Sequence, residues 1–271
     1  MKYLLSVFFV IISLSVFAQA DYTLVKDVPY YSDPSDAYQK ERCRLDIHYP
    51  KGKKGVAAIV WFHGGGLTGG NKELPKDLLE KGYIVIGVGY RLSPKAKVSD
   101  CIEDAAAAVA WTFAHIGEYG GDSRKIYLSG HSAGGYLVMM VTLNKQYLSR
   151  YSINADEIAG IIPFSGQTIT HFTARKERGV PEKQPEVDSL APLFYVRPDA
   201  PPMLLITGDK DLELLGRYEE NAYLSRMMKV NGHTRTHLLE LQGFDHVGMA
   251  YPAFPLLLKE VAKWENEKKG R

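Results

Sequence analysis

Residues 125–135 read Lys125-Ile126-Tyr127-Leu128-Ser129-Gly130-His131-Ser132-Ala133-Gly134-Gly135. Ile126 to Leu128 is a short apolar, partly β-branched run of the kind that forms a buried strand. It breaks at Gly130. From Ala133 a helical pattern takes over through Tyr136, Leu137, Met140 and Val141. Between the two, Gly130-His131-Ser132-Ala133-Gly134 matches G-x-S-x-G, in which a sharp strand-to-helix turn lifts a serine off the sheet onto a helix N-terminus. A serine in so tight a turn brings its neighbours against adjacent backbone, so a Cβ at position 130 or 134 would collide. The five-residue pattern alone is weak; with a strand before it and a helix after it, the signal is strong.

The 271-residue length suits one α/β domain. Residues 1–20 stand apart: Lys2 is their only charge, Leu4 to Phe17 is almost wholly apolar, and Ala18-Gln19-Ala20 has small residues where a signal peptidase cuts. We read a cleavable secretory signal with the domain at 21–271, hence a secreted or periplasmic protein. The apolar run is short for a spanning helix and no cysteine offers a lipid anchor, so no stable membrane anchor is expected. Without the signal, 32 Lys and Arg face 31 Asp and Glu, since only Lys2 is lost from the 33. That balance gives no reason to expect a nucleic-acid partner. Cys43 and Cys101 are the only cysteines. Export makes a disulfide between them possible, although a chain with a large core does not need one.

After a β-prone segment at 22–28 and a polar turn around Pro34 and Asp36, Arg42 to Tyr49 alternates as a strand with one wet face, His48 lying on that polar side. Val56 to Phe62 is continuously apolar, as in a strand covered on both faces. The pattern predicts a short helix within 74–81 and a buried strand over 83–90. A helix capped by Ser99 or Asp100 then runs to about Ile116. Later come a strand over 158–164, an aperiodic stretch at 165–200 read as a small cap, and a strand over 203–207. A helix over 217–230, a strand over 236–241 and a last helix over 253–267 follow. This alternation predicts a mostly parallel sheet with helices on both faces.

A serine hydroxyl needs a base, a group that orients the base, and donors for the oxyanion. His63-Gly64-Gly65-Gly66 directly follows the 56–62 strand, and its bare backbone can approach a substrate oxygen. The expected oxyanion hole is formed by the N–H groups of Gly65, Gly66 and Ala133, the last at a helix N-terminus. A phosphate loop is excluded, because Gly70-Asn71-Lys72-Glu73 lacks the adjacent Gly-Lys-Ser/Thr. Gly87-Val88-Gly89 lacks the third glycine of a dinucleotide fingerprint. For the orienting acid, Asp209 and Asp211 lie just past the 203–207 strand, with Glu213 a more remote candidate. Among eight histidines, His246 follows a strand and precedes a helix, which makes it the base; His131 is read as bracing the elbow and His63 as holding the glycine loop.

Taken together, His63-Gly64-Gly65-Gly66, Tyr90-Arg91-Leu92-Ser93-Pro94, Asp104, Trp111, Gly120-Gly121-Asp122, Gly130 to Gly135, Gly208-x-x-Asp211 and His246 make the chain resemble the α/β-hydrolase superfamily. The likeness is to its bacterial carboxylesterase branches, near the hormone-sensitive-lipase-like and feruloyl- and acetyl-esterase-like enzymes. It spans residues 42–265. It implies an eight-stranded mixed sheet and cofactor-free, metal-free ester hydrolysis through an acyl-enzyme. It places Ser132, Asp211 and His246 in the family's chain order, and the spacing of three residues after Gly208 is what selects Asp211. The implied substrate is a small-molecule or carbohydrate-linked ester. An amidase or peptidase would use the same three residues, and a non-catalytic binding protein of the same fold would be expected to lack one of them. His131 departs from the aspartate usual in the lipase-like branch. The short cap, with His171, Phe172, Phe194 and Tyr195 as expected pocket residues, departs too.

Overall fold

A computed structural model of the chain describes residues 21–214 and 216–269; the signal expected at 1–20 lies outside the described residues. Eight strands form one sheet: β1 (Tyr22–Pro29), β2 (Arg44–Pro50), β3 (Val56–Phe62), β4 (Ile84–Val88), β5 (Gly121–His131), β6 (Gly160–Phe164), β7 (Met203–Gly208) and β8 (Thr236–Leu241). Their order is β1-β2-β4-β3-β5-β6-β7-β8. The pairs β1–β2 and β2–β4 are antiparallel, and every later pair is parallel. The helices are α1 (Ala37–Arg42), α2 (Val98–His115), α3 (Ala133–Leu143), α4 (Gln146–Ser149), α5 (Phe172–Glu177), α6 (Arg217–Val230) and α7 (Ala250–Lys269). This is the α/β-hydrolase architecture.

The continuous apolar runs do what fully covered strands require. Along β3, Ala58, Val60 and Phe62 enter one core with α2, α3 and α6, while Ala57, Ile59 and Trp61 enter a second core beneath α7. On α7, Ala253, Leu257, Val261 and Trp264 recur at helical spacing and pack that second core. Trp264 lies over Gly160, where an added Cβ would fall 2.4 Å from the indole.

Several local expectations need correction. Residues 74–81 form only a single 3-10 turn, Lys76–Leu78. Leu78 is already seated in the second core, and the chain re-extends at Leu79 (φ −73°, ψ 147°) and turns at Glu80 with φ 59°. Arg42 closes α1 instead of opening β2. His48 is buried rather than wet, stacked on Tyr22 with ring centroids 4.9 Å apart. Neither Ser99 nor Asp100 is the N-cap of α2; that residue is Lys97, which makes no side-chain cap bond. Asp100 accepts the Lys97 N–H at 2.8 Å, and Glu177 of α5 reaches across to accept the Val98 N–H at 3.1 Å. A carboxylate there satisfies an orphan donor and complements the helix dipole. Because it comes from a segment 79 positions away, no local pattern announces it. Cys43 and Cys101 are buried free thiols, not a disulfide.

The elbow depends on close approach at Gly134, where an added Cβ would fall 2.0 Å from the Phe62 carbonyl oxygen and 2.8 Å from that of His63. We therefore expect Gly134→Ala to lower the unfolding free energy by about 2 kcal/mol or more. Gly117→Ala, with open space around it, should stay within about 0.5 kcal/mol. Urea denaturation of both variants checks the contrast, and equal stabilities would contradict it.

Candidate active site

The site assembles along the carboxyl ends of β5 to β8. Ser132 leaves β5 at φ 54°, ψ −112°, and its N–H donates to the Phe164 carbonyl at 2.8 Å. Its O accepts the Tyr136 N–H at 3.0 Å, which starts α3 at once. One strand over, Ser165 follows β6 with φ 46° and is tied to β7 by its N–H to the Ile206 carbonyl at 2.7 Å. Gly208 ends β7 opposite Leu241 of β8, which brings the loops after these two strands side by side.

His246 is in line with the nucleophile. The Ser132 Oγ lies 2.9 Å from His246 Nε2, and His246 Nδ1 lies 2.8 Å from Glu213 Oε2. The acid expectation is thus corrected. Asp211 is exposed, and its only hydrogen bond among the described residues is from its N–H to Asp209 Oδ1 at 3.0 Å. The reason is a turn. Asp209 accepts the Asp211 and Gly243 N–H groups through its carboxylate, while its backbone carbonyl accepts the N–H groups of Leu212 and Glu213 at 3.0 and 2.8 Å. That helical turn directs residue 211 outward and returns residue 213 to the sheet. There Glu213 Oε1 accepts the Gly208 N–H at 2.9 Å and the Ser165 hydroxyl at 2.6 Å.

The Glu213 carboxylate is fully covered. Burial pushes its pKa up, but hydrogen bonds from His246, Ser165 and the Gly208 N–H, with the nearby imidazole, outweigh it and hold the group at about 2. It is anionic at neutral pH. Ser165 was not foreseen. Its Oγ also sits 2.9 Å from His246 Nδ1, so it bridges acid and base. The available signal was a hydroxyl immediately after a buried apolar strand at the catalytic edge, which many strands share.

His131 and His63 hold structural positions. His131 Nε2 donates to the His246 carbonyl at 2.7 Å, its ring centroid 4.8 Å from that of His246. His63 stacks on Tyr90 at 4.2 Å, and Tyr90 Oη donates to the His63 carbonyl at 2.7 Å. Burial lowers both imidazoles to about 4, the charge of His246 adding to the effect at His131. The glycine loop is held by Thr68 and Gly69 N–H groups donating to the Gly65 carbonyl at 3.1 and 3.0 Å. Gly65 has φ 111°, and a Cβ there would fall 2.3 Å from the Gly69 oxygen. Among the described residues, the N–H groups of Gly65 and Gly66 donate to no protein acceptor and lie in the same cleft as Ser132.

That cleft has a volume of about 520 Å³ and includes His63, Gly64–Gly66, His131, Ser132, Phe172, Leu214 and His246 in its walls. Phe172 is the expected pocket residue that faces it. His171 is buried behind, capping α5 through the Thr173 N–H, while Phe194 is 58% exposed and, like Tyr195, lines neither this cleft nor the cavity beside it. Among the described residues no group of three or more His, Cys, Asp or Glu side chains could hold a metal ion.

An elbow serine after β5, a carboxylate after β7 and an imidazole after β8, all at one edge of a parallel sheet, mark a member of the α/β-hydrolase superfamily. The chain belongs to the BD-FAE family, whose model matches residues 45–215. The protein named "Probable carboxylic ester hydrolase LipM" from Mycobacterium tuberculosis is 31% identical over 182 residues, 58% of this chain and 42% of LipM. "Esterase LipC" of the same organism is 26% identical over 209 residues, 70% of this chain and 51% of LipC. The chain thus spans about half the length of these curated relatives. Among solved structures, a truncated carbohydrate esterase from gut microbiota superposes with TM-score 0.75 at 19% identity, covering 92% of this chain and 98% of that one. Butyrate-bound Est2 from Thermogutta terrifontis gives 0.69 at 23% identity, covering 90% and 94%. At these identities the structural likeness is one of fold.

Two predictions follow from the corrected geometry. Glu213→Gln should lower kcat by about 10³–10⁴-fold, because the imidazole loses its charged partner. Asp211→Asn should change it less than about threefold, as expected of a solvent-facing side chain. Steady-state kinetics decide, and the reverse order would return the role to Asp211. The second concerns acid stability. His63 and His131 have folded pKa values near 4 against 6.5 in an unfolded chain, so below pH 6.5 the unfolded state binds protons that the folded state refuses. Unfolding free energy should therefore fall as pH drops from 6.5 to 4, and His131→Asn should flatten that slope. Urea midpoints measured across the range check it.

Proposed function

We propose that this protein is an exported serine carboxylesterase that cleaves a small acyl or aryl ester, carried on a carbohydrate or another small alcohol. The observation that carries the reading is the continuous line from Glu213 Oε2 through both nitrogens of His246 to the Ser132 Oγ, with steps of 2.8 and 2.9 Å. Ser132 attacks the ester carbonyl while His246 Nε2 takes its proton. Glu213 holds Nδ1–H, which fixes the tautomer and stabilises the imidazolium that forms. The tetrahedral oxyanion sits against the N–H groups of Gly65, Gly66 and Ala133. His246 then returns the proton to the leaving alcohol, and water repeats the sequence on the acyl-enzyme. The names of LipM and LipC support ester hydrolysis, and the carbohydrate esterase among the structural neighbours supports a sugar-linked substrate. Export rests on residues 1–20 read as a cleaved signal. Residues 165–200 serve as the cap, which Phe172 in the cleft wall supports.

Ser132→Ala removes one oxygen from a side chain that no strand or helix needs for its own hydrogen bonds. Hydrolysis of 4-nitrophenyl acetate should fall by about 10⁴–10⁶-fold with the urea midpoint nearly unchanged. Near-normal turnover by this variant would sink the proposal, and fractionation of the producing cells would test export separately.

A further inference from the structure

A second cavity, about 610 Å³, adjoins the cleft at Ser132 and shares two walls with it, Phe172 and Leu214. Its size is that of a small-molecule site. Its far side is charged: Arg175 and Lys183 come from the 165–200 segment and Arg217 with Glu220 from the start of α6, while Glu182 sits at the exposed rim.

These charges are not equally satisfied. Glu220 is buried and fully engaged, with Oε1 on Arg217 Nε at 2.9 Å and Oε2 on the Thr168 and Ile169 N–H groups at 3.1 Å. Arg217 spends a further N–H on the Ser165 carbonyl. Arg175 is different. It is 3% exposed, its Nη1 donates to the Gln184 carbonyl, and its Nε is buried with no hydrogen-bond partner. Among the described residues no carboxylate lies within ion-pair distance of it. Burial lowers the Arg175 pKa, and the carboxylates of Glu220, Glu186 and Glu182 only partly offset this. His171, packed behind Phe172, is held neutral by burial and also by the positive charge of Arg217 and Arg175.

A buried guanidinium with an unsatisfied edge costs free energy unless an acceptor meets it. Arg175 lines the cavity with a guanidinium whose Nε lacks an acceptor, and a carboxylate is the group that best meets such a charged donor. We propose that this cavity binds a carboxylate carried by the ester substrate, with Arg175 as its countercharge. The inference rests on the esterase reading of Ser132 and adds a substrate class to it: esters bearing an acidic group, such as a uronic acid on the alcohol side or a dicarboxylic half-ester on the acyl side.

The test compares matched pairs on the full enzyme. The acyl pair is 4-nitrophenyl butyrate against 4-nitrophenyl hemisuccinate, and the alcohol pair is acetylated methyl glucoside against acetylated methyl glucuronoside. We expect the acidic member of one pair to have the higher kcat/KM, and that pair tells which side of the ester enters the cavity. Arg175→Gln should reduce the acidic-to-neutral ratio by about 10–100-fold, the worth of a charged hydrogen bond, and Arg175→Lys should restore part of it. Because Arg175 is buried, a third arm needs no variant: free glucuronate or free succinate, whichever matches the preferred pair, should inhibit wild-type hydrolysis of the neutral ester competitively, and glucose should not. No acidic preference in either pair, equal losses on both members in Arg175→Gln, or absence of inhibition by both glucuronate and succinate would each overturn the site. Failure of the wild type to hydrolyse any neutral or acidic ester would instead overturn the esterase reading.

Discussion

The backbone of Ser132 sits at φ 54°, a region that a side-chain-bearing residue enters only under constraint, and much of the site depends on keeping it there. The constraint is packing. Gly130 and Gly134 lie so near the Phe62 carbonyl that a Cβ on either would come within 2.6 and 2.0 Å of its oxygen. The turn can therefore form only where β5 runs directly beside β3, and that pairing is central to the sheet. The same closeness places the glycine loop after β3 next to the nucleophile, so the expected oxyanion donors and the serine are positioned by one contact.

From that fixed point the other groups are placed by strand order. Parallel pairing of β5, β6, β7 and β8 brings His131 opposite Phe164, Phe164 opposite Ile206, and Gly208 opposite Leu241. Each following loop then begins one strand spacing further along the same edge. Ser165, Glu213 and His246 converge because three loops leave neighbouring strand ends on one side of the sheet. Glu213 is held by the Ser165 hydroxyl, the Gly208 and Leu214 N–H groups and His246, and the favourable hydrogen bonds outweigh the cost of burying its charge.

The sequence made legible whatever is encoded locally. The elbow, the glycine loop, the position of His246 after a strand, and helix and strand spans such as 217–230 and 236–241 follow from short patterns with a physical reason. What it concealed was set by tertiary contact. Spacing from Gly208 favoured Asp211, because family spacing says nothing of the turn that Asp209 imposes by accepting N–H groups from residues 211, 212, 213 and 243. Lys97 became the N-cap of α2 because Glu177, far along the chain, supplies the missing acceptor. Ser165 gave no signal beyond its position, since its role exists only once β6 lies between β5 and β7.

The central claim is that His246 activates Ser132, although Ser165 presents a second hydroxyl at the same 2.9 Å from the other ring nitrogen. A fluorophosphonate reacts only with an activated hydroxyl, and peptide mass spectrometry can locate the adduct on one serine. The structure predicts a single adduct per chain, on Ser132, formed within the lifetime of the active enzyme. An adduct on Ser165, or an unlabelled protein that still turns over ester, would contradict it.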